Sequence, residues 1–171
     1  MPLGASIDAF HWRASIAEIS ADGPFSTFAG IDRVIVLLGG EGAHLRSNDG
    51  VIDHRLDTPL APFVFAGEVA IDASLIGGAS SDFNIMTRRD IARSDVRTLI
   101  DDERLDACSA GVLFPARGHW DVQATGALAA THTLDANHGV WWNGDSLSWD
   151  VVPRSADAAL IAVRILANSE R

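Results

Sequence analysis

At 171 residues, 47% of them apolar and 21% charged, the chain has the make-up of an ordinary globular protein of one domain, or of two small ones sharing a core. Its formal charge is −10 and its thirteen cations are all arginines, a balance that repels phosphate backbones and argues against nucleic-acid binding. No apolar run approaches the ~18–20 residues of a membrane span, no secretory leader is visible, and the single Cys108 leaves no internal disulfide framework, so the expectation is a cytoplasmic protein.

Short runs of β-branched and apolar residues alternate with turn clusters, which predicts an all-β sandwich or barrel. The first run is Phe10 to Ile19, closed by the turn chemistry of Ala21-Asp22-Gly23-Pro24. Arg33 to Leu38 is nearly all apolar, as in a strand buried on both faces. After Gly39-Gly40-Glu41-Gly42 the chain returns through Ala43 to Arg46, then Phe63 to Phe65, Val69 to Ile71 and Asp82 to Arg88. Ser94 to Leu105 carries a weak helical spacing; a short helix and a charged linker between halves are both open there.

The second half resembles the first at an offset of 76–78 residues. Gly42-Ala43-His44-Leu45 falls on Gly118-His119-Trp120-Asp121, and Leu56-Asp57 on Leu134-Asp135. Phe63-Val64-Phe65-Ala66-Gly67 falls on Val140-Trp141-Trp142-Asn143-Gly144, and Asp82 to Arg88 on Leu160 to Leu166. A period this long is no solenoid; a duplicated small β-barrel is the simpler account. The expected organisation is a first barrel over residues 1–93, the linker or helix over 94–105, and a second barrel over 106–171, together one unit.

The copies act as each other's control. In the last strand of the first copy Asp82, Asn84, Met86 and Arg88 share a face, since side chains alternate along a strand. Their counterparts are Leu160, Ala162, Arg164 and Leu166, so one slot is polar in one half and largely apolar in the other. A solvent-facing strand explains that; so does a polar pocket in the first barrel. Arg13 and Ser15 alternate along the first strand and would complete such a pocket, in which guanidinium, hydroxyl and amide suit a small carboxylate. Arg33 is read as a structural ion pair with Asp32 or Asp82, a ligand contact being the alternative. The six histidines are scattered without paired spacing, so no metal is expected. Cys108 has acidic neighbours and no evident base, so no catalytic residue is assigned. Trp141, Trp142 and Trp149 are read as core or interface.

Phe10-His11-Trp12-Arg13-Ala14-Ser15-Ile16-Ala17-Glu18, Asp22-Gly23-Pro24-Phe25-Ser26 with Gly30-Ile31-Asp32-Arg33, and Asp82-Phe83-Asn84-Ile85-Met86-Thr87-Arg88 resemble, in that order, segments of the HutD/Ves family. The resemblance is strong over residues 10–90 and looser beyond, and implies a metal-free bicupin, a cupin-type duplicated double barrel of jelly-roll kind. One branch of the family is associated with histidine utilisation, with a regulatory role in binding urocanate or N-formylglutamate, and the other, Ves, with stress or cold response and no settled activity, so the resemblance implies a role in histidine utilisation or a related pathway. Arg13, Ser15, Asp82, Asn84, Met86 and Arg88 are the ligand residues this points to. Relatives carry a tryptophan–lysine–asparagine and glycine-rich segment ahead of the first motif, absent from residues 1–9 here. The expectation is therefore a non-catalytic binder of a small carboxylate, without cofactor. The rivals are a metal-independent cupin enzyme such as an isomerase, and an interaction module that forms a homodimer through its tryptophan-rich second half.

Overall fold

The computed structural model describes residues 10–125 and 130–168. Every regular element among them is a strand, and none is a helix long and apolar enough to cross a membrane. The chain divides into two compact units between Arg93 and Ser94.

The first unit holds β1 (Trp12–Ile19), β2 (Gly23–Pro24), β3 (Ile31–Gly39), β4 (Ala43–Ser47), β5 (Asp53–Leu56), β6 (Pro62–Ala66), β7 (Ile71–Leu75) and β8 (Ser80–Arg88). They form two four-stranded antiparallel sheets, ordered β1-β8-β3-β6 and β2-β7-β4-β5, the strand order of a jelly roll. β3 is central because Val34, Ile35, Val36 and Leu37 are all buried, so both of its faces need cover. Ile19, Ile35, Leu37 and Phe65 from one sheet pack with Ala43, Leu45, Ile71 and Ala73 from the other, and this cluster is the unit's core.

The second unit contains most of β9 (Ala92–Leu99), with β10 (Glu103–Arg117), β11 (His119–Thr125), β12 (Thr131–Asp135), β13 (Val140–Pro153) and β14 (Ala159–Ala167). They form one six-stranded sheet, β12-β11-β13-β10-β14-β9. β10 meets β13 along two stretches, Glu103 to Leu105 against Trp149 to Val151 and Ala110 to Leu113 against Val140 to Asn143, with bulges on either side of Cys108. A bulge bends its strand and raises the local twist, so one long ladder serves here where the first unit uses two sheets. Leu105, Leu113, Trp120, Val122, Trp142, Trp149 and Leu160 form the core.

Two expectations are corrected. Residues 94–105 are neither helix nor linker: β9 and the start of β10 occupy them. Read at period two, Val96 and Thr98 alternate with Arg97 and Leu99, and strand pairing overrides the weak helical spacing. The barrel is also not closed, for no ladder among the described residues joins β1 to β2 or β5 to β6. Proline explains part of this: β2 ends in Pro24 and β6 begins at Pro62, and a residue without an N–H sits at a sheet edge rather than inside a ladder.

Candidate functional site

Register decides which side chains meet on the inward face of the first sheet. Arg13 of β1 and Arg33 of β3 both lie opposite Met86 of β8. One step along, Ser15 and Ile35 flank Asn84; a further step, Ala17 and Leu37 flank Asp82. Alternation keeps all of these on one face. Toward the core this face is apolar, but over β1, β8 and the start of β3 it carries two guanidiniums, a hydroxyl, an amide and a carboxyl.

A cavity of about 310 Å³ opens there, between β1 and the segment through Pro24 and Phe28, lined by Arg13, Ser15, Arg33, Asp82, Asn84 and Met86 among others. Five of the six ligand residues expected from the sequence thus share one cavity. Arg88, at the end of β8, stands apart: its Nε donates to the Phe10 carbonyl at 3.3 Å, and it borders a separate depression with Gly30, Arg89 and Asp90.

Arg33 is the residue that sequence reasoning misplaced. Among the described residues it closes no ion pair with Asp32, whose carboxylate is taken by Arg89 at 2.7 Å. Instead it is 5% exposed, with its guanidinium carbon 4.9 Å from the Phe65 ring centroid, 5.4 Å from Phe25 and 5.7 Å from Phe28. Three aromatic faces favour a cation, but they supply no acceptor. One nitrogen, Nη1, donates to the Ser26 carbonyl at 3.2 Å, while Nε is buried without a partner. Burial lowers the Arg33 pKa to about 10, Asp82 opposing the fall and Arg13 adding to it. A signal was present in the sequence: at the 78-residue offset that aligns β8 with β14, Arg33 falls on Gly111.

Asp82 and Asn84 are 2% and 4% exposed, and each has an Oδ1 with no hydrogen-bond partner. Burial raises the Asp82 pKa to about 6, against the pull of Asn84 and Arg33. The residues lining the cavity therefore hold one unpaired donor and two unpaired acceptors, all buried, each costing about 1–3 kcal/mol while unmade. Filled by a group that supplies an anionic oxygen and an N–H, that cost is recovered.

The donor set does not fit a cupin metal. Two arginines border the cavity, no histidine lines it, and no group of three His, Cys, Asp or Glu that could hold a metal ion occurs among the described residues; cupin-type sites need three or four such ligands.

In the second unit the residues that fall on this face at the 78-residue sequence offset are packed or paired. Leu160 and Ala162 are buried in its core, and Arg164 is held by Asp95 at 2.6 Å and Asp106 at 3.2 Å. Trp142 lies over Gly111, tilts against Trp149 at 5.3 Å between ring centroids, and donates from Nε1 to the Cys108 carbonyl at 2.9 Å. Trp141, by contrast, is exposed.

The HutD family profile matches residues 1–160. Among solved structures the chain is similar to a conserved protein of unknown function from Pseudomonas aeruginosa PAO1, at 28% identity over 96% of this chain and 87% of that one, with a TM-score of 0.84. It is also similar to HutD from Pseudomonas fluorescens SBW25, in a structure described as a formate condition, at 26% identity over 98% and 85% of the two chains, TM-score 0.77. A formate complex of Lactobacillus farciminis oxalate decarboxylase shares the fold alone, at 6% identity over 92% and 77% of the two chains, TM-score 0.65.

Proposed function

The chain belongs to the HutD family, and from that premise we propose that its first unit is a receptor for a small carboxylate metabolite, of the urocanate or N-formylglutamate class, with a regulatory role in histidine utilisation in the cytoplasm. The observation that carries this reading is Arg33, a guanidinium buried among three aromatic rings with Nε unpaired and no carboxylate in salt-bridge reach among the described residues. Burying a cation without its counter-ion is costly, and an anionic ligand removes that cost. Arg13 and Arg33 would take the carboxylate, while Ser15, Asp82 and Asn84 would orient the remainder beside Met86. A cavity of about 310 Å³ is at the lower end for small-molecule sites, which suits a metabolite of this size. Arg88 is outside this cavity, and its part in binding is read separately from Arg88→Ala.

We also infer that the two units are copies of one jelly roll. What supports this is the pairing: β1-β8-β3-β6 in the first unit has its like in β9-β14-β10-β13, and β2-β7-β4-β5 in β10-β13-β11-β12. The glycines that open β4 and β11, Gly42 and Gly118, both have positive φ, 86° and 68°. On this reading one copy kept its pocket and the other filled it with tryptophan.

A second reading, a metal-independent enzyme with Asp82 as general base, is favoured by one fact: a carboxyl with a pKa of about 6 is poised for proton transfer near neutrality. Against it, the cavity lining holds no second acid–base group beyond Glu18 and no cysteine or histidine.

The test is a thermal-shift panel of urocanate, N-formylglutamate, formate, histidine and several dicarboxylates. At about 100 times its dissociation constant a ligand stabilises by about 2.7 kcal/mol, which for a chain of this length raises Tm by roughly 5–10 °C. A shift with one carboxylate, lost in Asn84→Ala with the fold intact, is the expected result. A flat panel with folded protein sinks the receptor, and turnover of any panel member followed by NMR selects the enzyme.

A further inference from the structure

Six strands end the three sheets: β1, β6, β2, β5, β12 and β9. A free edge invites another chain, and proteins blunt it with charge, brevity or proline. β1 carries Arg13 and Glu18, β5 carries Asp53 and Arg55, β9 carries Arg93, Asp95 and Arg97, β12 ends in Asp135, and β2 has only two residues. β6, reading Pro62-Phe63-Val64-Phe65-Ala66, has no charge at all, and Val64 at its centre is 64% exposed. Beside it runs a mostly apolar groove of about 380 Å³ bordered by Val51, itself exposed, with Ile52, Phe63, Val64 and Val69, and by Asp53 and His54 of β5. In a chain of net charge −10, β6 is the edge strand on which a second copy pairs without placing like charges directly opposite one another.

The hydrogen-bonding pattern of the edge is more specific than its lack of charge. Gly67 donates from its amide to the Ile31 carbonyl at 2.7 Å. Alternation in an antiparallel ladder then makes Arg33/Phe65 and Ile35/Phe63 the hydrogen-bonded pairs of β3 and β6. Pro62, Val64 and Ala66 consequently turn their backbone groups away from β3. Val64 offers both N–H and C=O; Ala66 offers its N–H, because its carbonyl already accepts from Val69 at 3.2 Å; Pro62 offers only a carbonyl.

We propose that a second copy of this chain pairs with β6 antiparallel about a two-fold axis at Val64. In that register the two Val64 residues exchange both of their bonds, and each Ala66 N–H meets the Pro62 carbonyl of the other copy. The donor that proline lacks falls opposite the Ala66 carbonyl that is already satisfied. Four backbone bonds form and no outward donor is stranded, a self-complementarity that an isologous two-fold contact requires. The paired edges would extend each four-stranded sheet into one of eight and bring the apolar grooves of both copies to the junction.

The experiment is the solution mass of the full chain by light scattering across micromolar to submillimolar loading, with Val64→Lys, Val64→Pro and a Cys108→Ala/Val64→Cys pair of substitutions. Expected are a mass of twice 18.2 kDa for the unaltered chain and a single-chain mass for Val64→Lys. Val64→Pro should also be monomeric, since it removes only an outward N–H. Thermal unfolding of both single variants should stay cooperative. Oxidised Val64→Cys should give a covalent dimer in high yield, because directly paired residues are within disulfide reach. A monomeric unaltered chain overturns the proposal. So does a dimer that survives in folded Val64→Lys and Val64→Pro, or one that dissociates instead on Trp141→Glu in the second unit. Should both single variants unfold, the yield of the Val64→Cys cross-link alone decides.

Discussion

Arg33 and Asp82 lie on the same inward face of adjacent paired strands, each feels the other's charge, and yet no salt bridge closes between them. Each keeps a buried polar atom without a partner, Nε on one and Oδ1 on the other. A structural ion pair would have collapsed that gap. The register sets them two same-face pairs apart, with Arg33 opposite Met86 and Asp82 opposite Leu37; the Phe25, Phe28 and Phe65 rings surround the one and Asn84 contacts the other, and both line the same cavity.

Replacing Arg33 separates binding from folding. Arg33→Met keeps the length of the side chain and removes the buried cation. The unliganded protein should gain about 1–3 kcal/mol, because a desolvated, half-satisfied guanidinium is lost. Carboxylate affinity should fall by 10-fold to 100-fold, the worth of one charged hydrogen bond. Urea denaturation reads the first and calorimetric titration the second. An Arg33→Met chain that unfolds would mean that the cation holds the aromatic rings in place and has no receptor role.

Asp82 gives the stability of the unliganded chain a specific pH dependence. Its folded pKa is about 6 against an ordinary 3.8, so the folded state holds the proton more tightly than the unfolded one. The contribution is therefore full below about pH 4 and lost as pH rises through about 6. The shift of about two units corresponds to about 3 kcal/mol, a reasonable conversion for a side chain only 2% exposed. Asp82→Asn should remove this slope and make the protein more stable at neutral pH. Urea midpoints at about pH 4.5 and pH 7.5 check it; identical slopes in the two proteins would place the titration elsewhere.

The same carboxyl sorts ligands by their hydrogen-bond donors. An acid without an N–H, such as formate, is repelled once Asp82 ionises, so its apparent affinity should fall about tenfold between pH 5 and pH 7 as the protonated fraction falls. An acid with an imidazole or amide N–H can donate to the ionised Asp82, and its affinity should hold over that range. Titrations of formate and urocanate at both pH values test this, and parallel loss for both acids would rule out Asp82 as an acceptor.

Much of the site could be read in the sequence, because strands report their faces at period two. Asp82, Asn84 and Met86 could be placed together from spacing alone, and the similarity between the two halves of the sequence supplied a contrast between polar and apolar faces. Arg33 was missed because a charged residue heading the apolar run Val34 to Leu37 looks like a strand boundary; only the register with Met86 turns it inward. Phe25 and Phe28 lie between β2 and β3 outside any strand, where no periodicity announces direction. β9 escaped because Arg93, Asp95 and Arg97 alternate with small or β-branched residues, a pattern weak at either period until β14 pairs with it. Closure of the barrel depends on which edges find partners: Pro24 and Pro62 mark β2 and β6 as open edges, but β1 and β5 carry no proline to mark them.

If the two units are copies, as proposed above, the second shows what the first would be without its cavity, and Gly111 tests that packing. In the paired strands Gly111 stands opposite Arg164, as Arg33 stands opposite Met86. A Cβ there would come within 2.3 Å of the Val163 carbonyl oxygen and 2.5 Å of the Trp142 ring. The first contact is backbone and cannot swing aside, so Gly111→Ala should cost about 1–3 kcal/mol by overpacking. Trp142→Ala should cost more, about 3–5 kcal/mol, since it empties a core site and strips the Cys108 carbonyl of its donor. The space it opens lies beside Trp149 and Leu160 in an apolar cluster and faces the bared Cys108 carbonyl, so a flat apolar guest with one N–H matches it. Indole should therefore raise the Tm of Trp142→Ala while leaving the unaltered chain unmoved. Failure of indole to rescue a folded Trp142→Ala would show that the core collapses onto the vacancy, and that Trp142 packs a core with no pocket beneath it.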